Sequence, residues 1–169
     1  HGYFFHWPHM QPFTKHLLLK VTGSYHGSVT TDELVPSGEA SSFRSNPEKI
    51  SEYTMISRDP EYVSRTKAVR SLEYERREQV CELRTDDAEF NVLIEKLSER
   101  LSCSISDITL GSLIVSDKIG DGSSREQAAS CQKVLGGFAN LANEYSTKRY
   151  RSNLINWGLL PLRTDEPLN

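Results

Sequence analysis

The chain has 169 residues, 37% of them hydrophobic and 25% charged, with a formal net charge of −3. That size accommodates one domain with a real hydrophobic core, or one domain plus an extension, and argues against two full domains. Apolar runs such as Leu17, Leu18, Leu19 are too short to span a bilayer, and acids and bases are so intermixed that no continuous basic face argues for nucleic acid.

Three cysteines, Cys81, Cys103 and Cys131, are widely spaced and include no C-x-x-C pair, a usage that suits reduced thiols in a reducing compartment. The first thirteen residues show neither a signal-peptide core nor a transit pattern, and the chain opens on His1 rather than Met. We therefore expect a piece of a larger protein, cytoplasmic, or from the mitochondrial matrix if eukaryotic.

Residues 1–16 gather five aromatics (Tyr3, Phe4, Phe5, Trp7, Phe13) and four histidines around two prolines. They read as an extension or linker remnant, with His6-x-x-His9 as a metal pair only if a third ligand is supplied. Residues 17–21 predict a short buried strand. Gly23, Gly27, Pro36 and Gly38 among Ser and Thr predict mostly loop over residues 22–46.

Asp59 followed by Pro60 starts a helix that runs to about Gln79, with Tyr62, Thr66, Val69 and Leu72 or Glu73 at turn spacing and its many charges read as a solvated face. Phe90, Leu93, Ile94, Leu97 and Leu101 predict an amphipathic core helix capped by Asp86 or Asp87. Residues 113–116 predict a buried strand bounded by Gly111 and Gly120, and residues 124–134 a helix stopped by Gly136 and Gly137. A strand over 138–145, a helix over 147–157 closed by Gly158 and a last strand over 159–162 complete an α/β alternation, for which we expect a mixed sheet with flanking helices.

The turn Gly120-Asp121-Gly122-Ser123 between strand and helix has two compatible readings. Ser123-Ser124-Arg125-Glu126 fits a capping box, the serine reaching a helical amide and Glu126 reaching back. A Gly-x-Gly turn at a helix N-terminus also offers backbone amides and a positive helix end to an anion.

The run from Gly120 to Ala129, the Leu135-Gly136-Gly137 after it, and Asn153 to Leu162 with Gly158-Leu159-Leu160-Pro161-Leu162 resemble the swivelling fourth, C-terminal domain of the aconitase family. Thr30-Thr31-Asp32 and Phe43-Arg44 resemble that domain's Thr-Asp-His segment and its substrate-binding arginine. Ile119, Gln127 and Glu33 stand where aconitases carry Tyr, His and His, and the run from Lys148 to Trp157 is most similar to a divergent hydratase-like branch of bacterial aconitase relatives.

The resemblance implies a β/β/α swivelling domain over residues 17–169, with a helical insertion at about 59–102. It implies Ser123 as the base that removes a proton beside a substrate carboxylate, Ser124, Arg125 and Arg44 as carboxylate binders, and Asp32 as an orienting residue. The substrate would be a hydroxy di- or tricarboxylate such as citrate or isocitrate. A [4Fe-4S] cluster would be held by core domains outside this chain, which alone would be inactive. Two other readings stay open: an RNA-binding or regulatory relative, for which Lys148, Arg149 and Arg151 speak, and a catalytically silent homologue, for which Ile119 and Gln127 leave room.

Overall fold

The structure, a computed structural model, describes residues 13–36, 38, 42–78 and 88–168. The His6 and His9 pair, Cys81 and the expected caps Asp86 and Asp87 lie outside them.

Four strands form one sheet in the order β1 (His16–Thr30), β2 (Ile108–Asp121), β3 (Gly137–Tyr145) and β4 (Leu160–Arg163). All three pairings are parallel, so the expectation of a mixed sheet is corrected. Parallel neighbours require crossovers, which are α5 (Arg125–Val134) between β2 and β3 and α6 (Lys148–Asn156) between β3 and β4. Between β1 and β2 lie α1 (Thr31–Leu34), α2 (Pro47–Ser51), α3 (Tyr62–Glu78) and α4 (Ala88–Leu101).

Two strands are longer than their apolar runs suggest. β1 continues through the Gly/Ser/Thr-rich stretch read as loop, pairing with β2 as far as Thr30 and absorbing irregularities between Val21 and Gly23 and between Tyr25 and Ser28. Pairing to a buried neighbour overrides weak local propensity there. β2 takes in both Gly111 and Gly120, the expected boundaries, and is buried along nearly its whole length as the strand next to the edge.

Alternation along β2 separates the core by face. On one side Ile114 joins Leu34, Ile50, Ala128, Leu135, Tyr150 and Leu154, and Ile119 near the end of the strand belongs to the same cluster. Ile108 and Leu110 meet Ile94, Phe90 and Leu72 of α4 and α3 on that side too. On the other, Leu113, Val115 and Ala139 are joined by strand residues and Leu168. Each fully buried Ile or Leu here contributes roughly 1.5–3 kcal/mol.

The inner face of α3 changes character along its length. Tyr62, Thr66 and Val69 are followed by buried Glu73 and Arg76, so its charges are not all solvated. Glu73 accepts from Arg76 Nε at 2.7 Å, Arg77 Nε at 2.7 Å and the Leu110 amide at 2.9 Å, pinning α3 to the start of β2.

Candidate functional site

Open parallel sheets place ligands beyond the carboxyl ends of their strands. Thr30 and Asp121 are paired at the ends of β1 and β2, so Asp32 and Ser123 each leave the sheet two residues beyond that pair. α1 begins at once, with Thr30 as its cap: Thr30 Oγ1 accepts from the Glu33 amide at 3.3 Å, while the Glu33 carboxylate accepts from the Thr30 amide at 2.6 Å. Arg58 Nη1 also donates to Glu33 at 3.1 Å. Glu33, which departs from the family pattern, thus completes a capping box that orients Asp32 outward, exposed.

Thr31, between them, is fully buried, and its Oγ1 has no hydrogen-bond partner among the described residues. It packs against Gly122. A Cβ on that glycine would stand 2.0 Å from Thr31 Oγ1, and its φ of +126° lies in the region that L residues avoid. The turn that carries Ser123 is therefore seated against α1.

α5 starts differently from the expected capping box. Its N-cap is Ser124, which makes no side-chain capping bond, and Glu126 does not reach back. Glu126 instead accepts from Trp157 Nε1 at 2.6 Å and from Asn153 Nδ2, tying the first turn of α5 to α6. The first-turn amides of α5 thus lack a side-chain cap, as an anion site requires. Arg125 Nη1 donates to the Gly122 carbonyl at 3.3 Å, holding its guanidinium over the turn, and Ser123 is exposed.

An open cavity of about 380 Å³ lies between α5 and α6, lined by Ser123, Arg125, Glu126, Gln127, Arg149, Ser152 and Asn153. The fold therefore brings Ser123 and Arg125 together, with Ser124 at the helix start beside them. Arg149, from the basic cluster noted in the sequence, and Ser152, which the sequence did not single out, join them. The signal for both was the Thr147 N-cap, which sets the phase of α6: its Oγ1 accepts from the Tyr150 amide at 3.1 Å.

Arg44 is not in this cavity. It is exposed on the turn before α2, without an ion pair among the described residues, beside Phe43, which stacks on Tyr53 at 6.3 Å between centroids. The three basic residues of α6 are also divided. Arg149 faces the Ser123 cavity, whereas Lys148 and Arg151 line another with Arg163, and Arg151 lies over the Tyr145 ring at 5.9 Å.

Residues 107–167 match the family model for the aconitase C-terminal domain. Over this segment the chain is similar to that domain. No curated protein matches the chain. The aconitase match takes in β2, α5, β3, α6 and β4 with Ser123, Ser124 and Arg125, and leaves Asp32 and Arg44 outside it.

The aconitase family generally uses a [4Fe-4S] cluster, and the thiols described here do not fit one. Cys131, on the buried face of α5, sits in the core, where burial pushes its thiol up to about 11, while Cys103 packs in a separate cluster at the end of α4. Among the described residues no three His, Cys, Asp or Glu side chains are grouped to hold a metal. Nor is any helix among them long and apolar enough to cross a membrane.

Proposed function

We propose that this chain supplies the substrate-binding and proton-abstracting half of an aconitase-like hydro-lyase, which reversibly dehydrates a hydroxy di- or tricarboxylate of the citrate or isocitrate kind. The observation that carries the reading is the start of α5, where a ten-residue helix presents uncapped amides, two serines and Arg125 beside an open cavity at the carboxyl ends of a parallel sheet.

In this reading Ser124, Arg125 and the first-turn amides hold a substrate carboxylate. The same positive surroundings stabilise the Ser123 alkoxide, since a serine hydroxyl is otherwise far too weak a base. Ser123 Oγ takes the proton from the carbon beside that carboxylate. The electron pair left behind forms the double bond as the neighbouring hydroxyl leaves as hydroxide, for which a cluster held by the core domains would supply the Lewis acid, so that the net loss is water.

Asp32 orients the serine or an arginine from the end of β1, and Arg44 clamps a further carboxylate bidentately when the cleft closes. The partners are cluster-bearing core domains, in the same polypeptide or another subunit. The swivelling domain spans residues 17–169 with a helical insertion at about 59–102, after an extension of residues 1–16, and turns nothing over by itself.

Titrating the chain with tricarballylate, a tricarboxylate without a hydroxyl to lose, tests the binding half of this reading by amide NMR. Saturable shifts at Gly122 through Gln127, abolished by Arg125→Gln, are expected. Shifts there no larger than those of remote surface amides would overturn it.

A further inference from the structure

α5 has a second charged end. A ten-residue helix is about 15 Å long, and at its C-terminus, by the amino ends of β2 and β3, lies an open cavity of about 510 Å³. Arg70 and Arg77 of α3 and Lys133 of α5 line it, with Phe13, Tyr74 and Phe138 among its walls. Nothing in the proposed hydratase chemistry uses these groups.

Lys133 is the unusual member. Its Nζ sits over the Phe138 ring at 4.1 Å, and the hydrogen bond it makes is a long one, 3.4 Å to the Gly158 carbonyl. Among the described residues no carboxylate forms an ion pair with it, although Glu48 of α2 and Glu73 of α3 also line the cavity. Glu73 is already engaged by Arg76 and Arg77. Burial, and then the positive charge of Arg77, lower the Lys133 amine to about 8. Arg70 uses Nη1 on the Val134 carbonyl at 2.6 Å and Arg77 uses Nε on Glu73, which leaves other donors of both guanidinium groups uncommitted.

Three cations and two carboxylates line this mostly apolar cavity; Glu73 is taken up by Arg76 and Arg77, so a net positive charge remains, with one amine desolvated and repelled by Arg77. We propose that this cavity binds a small organic oxyanion, a carboxylate or phosphate on an aromatic body. Arg70, Arg77 and Lys133 take the oxyanion, and the Phe13, Tyr74 and Phe138 walls take the body. A bound anion favours the ammonium form of Lys133, offsetting its burial and the repulsion from Arg77, and returns its amine toward the ordinary lysine range. The site is independent of the one at the other end of α5.

The test uses phenyl phosphate and benzoate, one for each oxyanion, on the 169-residue chain. Labelling of Lys133 by an amine reagent, followed across pH by mass spectrometry, is expected to show a midpoint near 8 that rises when one probe saturates. Below the midpoint, each unit of rise slows labelling about tenfold. Lys133→Met and Arg77→Gln are each expected to weaken binding of that probe about tenfold, with Arg163→Gln neutral. Saturation by phenyl phosphate alone assigns a phosphate site, and by benzoate alone a carboxylate site. No saturable binding of either, binding that survives both substitutions or is lost instead with Arg125→Gln, or an unchanged Lys133 midpoint would each overturn the proposal. The midpoint measurement on the unsubstituted chain stands even if Arg77→Gln fails to fold.

Discussion

The Thr31 hydroxyl occupies the space a side chain on Gly122 would need: a Cβ there would lie 2.0 Å from Oγ1. This contact couples the end of β1 to the turn that carries Ser123. Gly122→Ala adds that clash to the strain of a positive φ, which alone costs about 1–3 kcal/mol. Urea unfolding is expected to show at least that loss. Adding Thr31→Ala should recover the clash and leave the strain, a non-additivity that distant residues do not show.

Glu126 bridges two helices where a capping box would have acted within one. Glu126→Ala and Asn153→Ala should therefore be coupled in a double-mutant cycle, by about 1 kcal/mol or less given their exposure. Trp157 emission should change with Glu126→Ala, since its indole N–H loses its acceptor. Additive losses and unaltered emission would show the bridge to be unimportant.

The Glu73 and Arg76 side chains are only 6% and 8% exposed, so removing one charge strands the other. Glu73→Gln is expected to cost about 3–5 kcal/mol in denaturant unfolding. Burial by itself raises the Glu73 carboxyl, yet bonds from Arg76, the Leu110 amide and Arg77 outweigh it and hold the group below its ordinary 4.5. The folded protein then binds fewer protons than the unfolded chain. This stabilisation is complete above the unfolded carboxyl's range and is lost as pH falls through the lowered folded value. The acid limb of the stability curve should flatten in Glu73→Gln.

Much of this architecture was legible in the residues. Asp59-Pro60 marked the approach to α3, the spacing of Phe90, Ile94 and Leu97 marked α4, and Thr147 and Gly158 bracketed α6. The second half of β1 was not, because its Gly, Ser and Thr residues are extended through pairing with β2, a contact across about ninety positions. The caps mislead for a related reason. Thr30-x-x-Glu33 and Ser123-x-x-Glu126 carry the same pattern, and Asn153 and Trp157, brought in by α6, divert the second glutamate. At the site, the nearness of Ser123 to Arg125 followed from sequence. The arrival of Arg149 and Ser152 did not, and Arg44 remained on a separate turn.

The most direct measurement is the turnover of Ser123→Ala in the complete enzyme, joined to its core domains, with citrate and isocitrate as substrates. In that variant kcat is expected to fall by about 10²–10⁴, the range of a lost general base, while KM changes little. A Ser123→Ala enzyme that keeps the unsubstituted kcat would contradict it.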